Sequence, residues 1–286
     1  MVKYTLSNID TRYDCYSQFS KLYKTLKDIK FDIIEIDLKN WFGANMSAVL
    51  GSILDNISPT NQIKITSDSQ NVLEVLKKNA FLANYGYEKI LDTNNTTIKY
   101  LKLPKADSRF FNSYVMNELL SRSDLPSMTD GLKKKIAESI YEIFVNAQMH
   151  SGTEYIYTCG QFYPKKHVIE FTIVDTGQGF KKTINNRFNC NMNSLQAIKW
   201  ALIDGNTTKQ DVSGGLGLSL LTEFIKLNNG RFQIVSDDGF YEFGENLYPS
   251  FLPNAVLGTI VNMKFRTDDT NYYRLSSEKY DTDEIF

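Results

Sequence analysis

The chain has 286 residues, of which 42% are hydrophobic, and its 32 Lys and Arg nearly balance its 33 Asp and Glu. This length and composition allow one large or two small domains with a real core. The charge balance argues against nucleic acid or an anionic membrane surface as a partner. The three scattered cysteines suit a reducing compartment. The chain start lacks the apolar core of a signal peptide, and no apolar run is long enough for a bilayer, so we expect a cytoplasmic protein.

The first part of the chain, residues 1–105, shows segments with strand patterns alternating with segments of helical periodicity. This alternation predicts a small α/β layer that ends near Pro104. Either Asp68 or Ser69 is suited to cap its second helix. In chain order we predict a strand at 31–40, a helix at 45–57, a strand at 61–67, a helix at 69–82 and a strand within 91–108.

The second part, residues 106–267, begins with helical patterns and continues with strands and helices. Its elements are again assigned from hydrophobic periodicity. The residues that follow it, 268–286, are polar and are expected to form a flexible tail. We predict helices at 109–122, 130–150 and 215–230, strands around 153–162, 167–175, 231–243 and 258–265, and a stretch of helix and loop at 180–212.

The helix predicted at 130–150 carries a polar stripe of Glu138, Glu142, Asn146 and His150, spaced four residues apart. Side chains at this spacing lie above one another on one helix face. Glu142 and Asn146 are then about 6 Å apart along the axis, so a carboxylate and an amide oxygen can address the same water and metal ion. An Asn in mid-helix is unfavourable, because its amide competes for the backbone. A merely solvated face is the alternative interpretation.

Three glycine-containing segments follow, each at the boundary of a predicted element. Asp175 ends a hydrophobic strand and begins DTGQGF, residues 175–180, where the glycines allow a sharp turn and close approach of a ligand. Residues 213–221, SGGLGLSLL, run from glycines into a helix, and free amides at a helix start bind anions such as phosphate. Gly258 and Thr259 begin the last predicted strand. Each segment alone could be an ordinary turn, but with the helix stripe they occur in a fixed order.

This order resembles the Bergerat-type nucleotide-binding fold of the GHKL family, which includes gyrase, histidine kinases and mismatch-repair ATPases. ESIYEIFVNAQMH, residues 138–150, is similar to its N box, and DTGQGF is similar to its first glycine box. GNTTKQDVSGGLGLSLL, residues 205–221, is similar to the second glycine box, and GT at 258–259 to the closing strand signature. The resemblance covers roughly residues 109–266. It implies an α/β sandwich, with helices packed on a mixed sheet, that binds ATP and Mg²⁺.

The resemblance also implies a role for each matching residue. Asp175 would accept a hydrogen bond from the adenine amino group, and Thr259 would support the adenine end through its hydroxyl. Asn146 would bind the Mg²⁺ that bridges the phosphates. Glu142 would act as general base or water-orienting carboxylate, and His150 would help to shape the site. The pocket floor, the phosphate cradle and the neighbouring ATP contacts would come from Gly177, Gly179, Lys209, Gly214, Gly215, Leu216 and Gly217.

The function that follows is ATP use in a regulatory role with a protein partner. The N box is more similar to anti-sigma-factor serine kinases than to sensor kinases. A carboxylate at Glu142 suits slow hydrolysis or transfer to a protein Ser or Thr. His150 and His167 are the only histidines, and neither suits the phosphoacceptor of a histidine kinase. The alternative is a non-enzymatic module in which closure of a mobile lid, residues 181–213, gates a protein interaction. The oligomeric state stays open, with a homodimer as one alternative.

Residues 31–82 resemble a STAS domain, the fold of anti-anti-sigma factors, through the strand–loop–helix pattern of IIEIDLKNWFGANMSAVLGSIL. That family carries its switch serine at the start of this helix, within an Asp-Ser pair. This sequence has Ala44 and Asn45 at that place, and Ser47 follows two residues late. A small α/β packing or docking domain is therefore the alternative to a phosphorylation-dependent switch.

Overall fold

The computed structural model describes residues 1–150, 152–203, 216–244 and 248–278, except for the side chains at 149, 150, 216 and 217. These residues form an α/β sandwich of two sheets and eight helices, which confirms the predicted fold class. No helix within these ranges has the length and apolar character that a membrane crossing needs. The strands are β1 (Val2–Ile9), β2 (Ile33–Phe42), β3 (Gln62–Ser67), β4 (Thr97–Pro104), β5 (Tyr155–Tyr163), β6 (Val168–Asp175), β7 (Arg231–Ser236), β8 (Gly239–Phe243), β9 (Tyr248–Phe251) and β10 (Thr259–Arg266). The helices are α1 (Tyr13–Leu26), α2 (Ser47–Ile57), α3 (Gln70–Lys78), α4 (Ser108–Tyr114), α5 (Asp130–His150), α6 (Gly179–Phe188), α7 (Ser194–Ala201) and α8 (Leu216–Leu227).

The small sheet is parallel, with strand order β1-β2-β3. Its strands β2 and β3 and the helices α2 and α3 lie where the sequence predicts them, and a 3₁₀ turn at Ala44–Met46 precedes α2. The sequence assigned no element to the first thirty residues, which form β1 and α1. α1 is amphipathic and buries Phe19, Leu22 and Leu26. These first thirty residues therefore add an edge strand and a third helix to the layer.

α2 is buried on all sides between the two sheets. Every residue from Ser47 to Leu54 is buried, as expected for a helix that is apolar all round. One side contacts α1, and the other contacts β5 and β6 of the large sheet. One apolar cluster accordingly joins Leu50 of α2 to Val174 and Ile260 of the large sheet.

The large sheet has seven strands in the order β4-β5-β6-β10-β7-β8-β9. The resemblance implies a mixed sheet, but all six strand pairings are antiparallel. Short connections explain the antiparallel pairing. β5 and β6 are joined by a 3₁₀ turn, and β7 and β8 are joined by two residues. Parallel neighbours would need long crossover connections. β4 lies before the predicted domain boundary at residue 105, yet it pairs with β5 of this sheet.

A second apolar core covers the other face of the large sheet. It joins α4, α5 and α8 to the strands, and its centre includes the stacked rings of Phe111 and Phe144, 4.5 Å apart. α4 continues into a π-helical turn over Val115–Leu120. The large sheet therefore has helices on both faces, with α2 on one side and α5 and α8 on the other.

The described part of the polar segment after β10, residues 268–278, is held against the second core. The backbone N–H of Tyr273 donates to the Ser127 carbonyl at 2.9 Å, and the Tyr273 carbonyl accepts from the N–H of Thr129 at 3.0 Å. The Tyr273 ring packs edge-on against Phe224, 5.1 Å away. The rest of the predicted flexible tail, residues 279–286, lies outside the described residues.

The positions that the sequence compares with a switch serine are buried at the contact between the two sheets. Asn45 and Ser47 are both fully buried. Asn45 donates to the Thr172 hydroxyl at 3.1 Å, and Ser47 accepts from the Asn79 amide at 3.1 Å. A kinase could reach either side chain only after α2 separated from the large sheet.

We predict that Leu50→Ala destabilises both sheets together, by about 2–5 kcal/mol, because it leaves a cavity in the shared core. Urea unfolding can be followed separately at the two tryptophans, Trp41 and Trp200, in the variants Trp200→Phe and Trp41→Phe. Both transitions should coincide and shift equally. Leu91→Ala is the control, because that side chain is 82% exposed. A shift seen only at Trp41 would contradict a shared core.

Candidate functional site

Asp175 ends β6 on the face of the large sheet that α5 and α8 cover, the face of Ile173. Its side chain is 7% exposed, and one carboxylate oxygen accepts from the N–H of Gly177 at 2.8 Å. Burial raises the pKa of Asp175 to about 6, against the lowering effect of hydrogen bonds from Gly177 and Thr259. A buried carboxylate thus lies at the end of β6, and hydrogen bonds from Gly177 and Thr259 stabilise its charged form.

The strand β10 brings Thr259 directly beside Asp175. Thr259 is the register partner of Asp175 on one side and of Ser236 on the other. Gly258 precedes it with φ of +70°, and a Cβ there would lie 1.9 Å from the Asp175 carbonyl oxygen. Only glycine permits this approach, so Gly258 explains why β10 can begin against the end of β6.

The first glycine segment folds over the turn between β7 and β8. Gly179 begins α6 with φ of +73°, and a Cβ there would lie 2.9 Å from the Ser236 hydroxyl. That hydroxyl accepts from the N–H of Phe180 at 3.0 Å and lies 3.2 Å from the Thr259 hydroxyl. The sequence interpretation missed Ser236, although its position at a strand end before the polar turn SDDG was a usable signal.

Asp237, next to Ser236, is a second carboxylate near this segment that the sequence interpretation missed. Burial raises its pKa, while the charge of Lys181 lowers it. One Asp237 carboxylate oxygen is buried with no hydrogen-bond partner among the described residues. The start of α6 is therefore placed against polar groups of the β7–β8 turn.

The loop after β6 is also tied to the connection between α5 and β5. The hydroxyls of Thr153 and Thr176 lie 2.9 Å apart, and the N–H of Thr176 donates to Thr153 at 3.2 Å. Gly152 just before has φ of +71°. These contacts fix the end of α5 relative to Asp175.

α5 spans the residues predicted for it, and its two sides differ as expected. Its apolar residues Ile136, Ile140 and Phe144 are buried in the second core, and Glu142 and Asn146 are half-buried. Since four residues of helix separate Glu142 from Asn146, they lie about 6 Å apart along the axis. The helix therefore holds the two side chains rigidly at the border of the core.

Several predicted site residues lie wholly or partly beyond what the structure describes. Lys209, Gly214 and Gly215 fall outside the described residues. Leu216 and Gly217 begin α8, and His150 is the last residue of α5, with side chains not described. α8 packs beside α5, so the start of one helix and the polar stripe of the other belong to the same layer. Of the predicted lid, residues 181–203 contain most of α6 and all of α7.

The described residues contain no group of three His, Cys, Asp and Glu side chains that could hold a metal ion. Mg²⁺ often takes only one or two protein ligands and fills its remaining positions with water and phosphate oxygens. The half-buried amide of Asn146 fits that kind of site and does not fit a metal site made of protein groups alone.

Comparison with known proteins gives a distant and partial relationship. No protein-family model matches the chain. A protein of Mycobacterium tuberculosis described as "Probable sensor histidine kinase" is 25% identical over 122 residues. The match covers 43% of this chain and 24% of that protein, so the chain spans about a quarter of its length. Sensor histidine kinases belong to the GHKL superfamily, and the similarity is compatible with the motif resemblance.

We predict a specific pH dependence from Asp175. Because its folded pKa of about 6 lies above the ordinary value of 3.8, the folded state holds the proton more tightly than the unfolded state. Stability therefore falls as pH rises from about 4 to about 6. Between pH 4 and pH 7 the free energy of unfolding of the parent should fall by about 2–3 kcal/mol relative to that of Asp175→Asn, which lacks this ionisation. Urea unfolding of both proteins at each pH measures these free energies. If their difference did not change with pH, the effect of burial on Asp175 would be contradicted.

Proposed function

We propose that the chain binds Mg·ATP in a GHKL-type pocket on the face of the large sheet that α5 and α8 cover. We further propose that it hydrolyses ATP slowly, or transfers the γ-phosphate to a Ser or Thr of a regulatory protein partner. The observation that carries the proposal is the buried Asp175 carboxylate beside Thr259, with Gly258 packed against the Asp175 carbonyl and Gly179 in the left-handed region. The distant similarity to a sensor histidine kinase supports ATP-linked regulation at a coarse level.

Asp175 would select adenine through the charge and position of its carboxylate. A carboxylate has several lone-pair sites, so it can accept from the adenine amino group while it accepts from Gly177. Guanine carries an oxygen at that position, which the carboxylate would repel. The Thr259 hydroxyl, held beside Ser236, would support the same end of the base.

The phosphate end of ATP would meet α5 and the start of α8. Asn146 would hold Mg²⁺, which supplies charge neutralisation at the phosphates when it is bound. Free N–H groups at the start of a helix favour anions, so the glycines that lead into α8 suit the phosphates. Lys209, Gly214 and Gly215 would complete this end.

Glu142 would orient the attacking oxygen, either of water or of a protein hydroxyl. It lies one turn before Asn146 on a helix whose other side is buried in the second core. Phosphoryl transfer depends chiefly on positioning and charge stabilisation, and a carboxylate fixed in this way contributes to positioning. The same chain can therefore bind ATP without Glu142 but should turn it over poorly.

A non-enzymatic ATP-gated interaction module is the second candidate function. The observation that favours it is the apolar cluster shared by α2 and the large sheet, because a change at the pocket could reach the surface of the small sheet through it. A pure sensor has no need of a carboxylate at Glu142, so turnover measurements separate the two candidates.

We predict that Asp175→Asn weakens ATP binding by about 1–3 kcal/mol, because a charged acceptor is replaced by a neutral one. Isothermal calorimetry with Mg·ATP measures this change. The exposed carboxyl of Asp28, in the turn after α1, supplies the control Asp28→Asn, which should bind normally. If Asp175→Asn also bound ATP normally, Asp175 would not contribute to ATP binding.

We predict that Glu142→Ala binds Mg·ATP nearly as well as the parent but turns it over about 10²-fold more slowly, the usual effect of losing a general base. Free phosphate and protein-bound label are counted separately after incubation with labelled ATP. Glu138→Ala is a matched control one turn earlier on α5, where Glu138 pairs with Lys135 at 2.6 Å. Equal activity of Glu142→Ala and Glu138→Ala would contradict the catalytic role. A parent inactive with every partner would favour the interaction module.

A further inference from the structure

A cationic cavity lies on the face of the large sheet opposite Asp175, between the sheet and the N-terminal layer. Its volume is about 200 Å³. Two carboxyl groups, Asp10 and Glu170, and the aromatic rings of Trp41 and Tyr163 also border it. Its five cationic side chains are those of Arg12, Lys166, Arg231, Lys264 and Arg266. The lining alone carries three more positive than negative groups, while Asp268 pairs with Arg266 and Glu242 lies 3.6 Å from Arg231 just outside it.

Strand register builds the floor of this cavity. Lys264 of β10 is the partner of Glu170 on β6 and of Arg231 on β7. These residues lie five positions from the row of Asp175, Thr259 and Ser236, so they face the other side of the sheet. The separation is about 17 Å along the strands, which makes the cavity distinct from the proposed ATP pocket.

The two carboxylates are already engaged by other groups. Glu170 accepts from the Thr11 hydroxyl at 3.0 Å and from the Asn45 amide at 3.4 Å. Asp10 accepts from the backbone N–H and the guanidinium of Arg12, both at 2.9 Å. Neither carboxylate therefore pairs with Lys166 or Lys264.

Arg231 is held near carboxylates but keeps an unused donor. Its guanidinium lies 3.6 Å from both Glu170 and Glu242 and donates to Thr11 at 2.5 Å. Its Nε is buried and has no hydrogen-bond partner among the described residues. Because this Nε–H is closed to solvent, an anion in the cavity would meet Arg231 as a nearby positive charge.

The two lysines of the cavity have no carboxylate within 4.0 Å in the described ranges. Lys264 is half-buried, and its pKa is lowered by burial and then by the charges of Arg231, Arg266 and Lys166, while Glu170 acts in the opposite direction. Lys166 lies 5.4 Å from the ring centres of Trp41 and Tyr163. A lysine that is partly desolvated among other cations is stabilised when an anion binds beside it.

We propose that this cavity binds a small phosphate-bearing anion, with Lys264 and Lys166 as its contacts and Arg231 as a nearby positive charge. The oxygens of a phosphate dianion can accept from both ammonium groups, and its charge would lie beside the Arg231 guanidinium. The cavity has room for a phosphate and a small organic group, which would face Trp41. The proposal does not rest on ATP binding, since it uses different residues on the opposite face.

Trp41 emission in the Trp200→Phe chain tests the proposal, because Trp41 borders the cavity and Trp200 is the only other tryptophan. The chain is titrated with inorganic phosphate, sodium chloride and acetate at matched ionic strength, without nucleotide. We expect a saturable change with phosphate alone. Lys264→Met and Lys166→Ala should raise the phosphate midpoint by about tenfold to a hundredfold, the effect of losing a charged hydrogen bond.

Lys165→Ala is the matched control, because Lys165 is the exposed neighbour of Lys166 and does not border the cavity. Its midpoint should equal that of the parent. Midpoints are compared rather than amplitudes, since Lys166 lies over the Trp41 ring. Thermal unfolding checks that each variant is folded. If Lys264→Met does not fold, Lys166→Ala decides the test, because Lys166 is exposed. An equal response to chloride or acetate, or an unchanged midpoint in Lys166→Ala, would overturn the proposal.

Discussion

The pairing register of β10 with β6 and β7 decides which side chains meet on each face of the large sheet. It sets Thr259 between Asp175 and Ser236, and it sets Lys264 between Glu170 and Arg231. Since the two rows are an odd number of residues apart, they face opposite sides of the sheet. A slip of one residue would exchange the faces and would bury Lys264 in the apolar core around Phe171 and Phe232.

The helix α2 and the polar groups beneath it cover the face of the large sheet that lies opposite α5 and α8. A bare face would expose the row of polar residues that now forms a connected network: Asn45 bonds to Thr172 at 3.1 Å, and Asn262 bonds to Gln233 at 3.2 Å. Buried polar groups are costly unless each finds a partner, so this network fixes how the N-terminal layer sits. Ser47 is buried in the same contact, and the apolar cluster shared by α2 and the large sheet continues it.

Much of the fold could be predicted from the sequence, because long periodic segments carry their own signal. α5 occupies the predicted residues 130–150, since its apolar positions repeat without a break. β1 and α1 were missed, because an edge strand with one buried face and a Tyr-rich helix give weak patterns. The order of motifs led to Asp175 and Gly258, which are local features of strand ends. Contacts such as that of Glu170 with Thr11, 159 residues away in the chain, have no local signal, and the cationic cavity could not be anticipated.

A crystal structure with Mg²⁺ and a non-hydrolysable ATP analogue is the sharpest test of the proposed pocket. We expect the nucleotide on the face of the large sheet that α5 and α8 cover, with the adenine amino nitrogen about 2.7–3.2 Å from the Asp175 carboxylate, the distance of a direct hydrogen bond. We also expect the phosphates between α5 and the start of α8. An analogue bound elsewhere, or an adenine that makes no contact with Asp175, would contradict the proposed pocket.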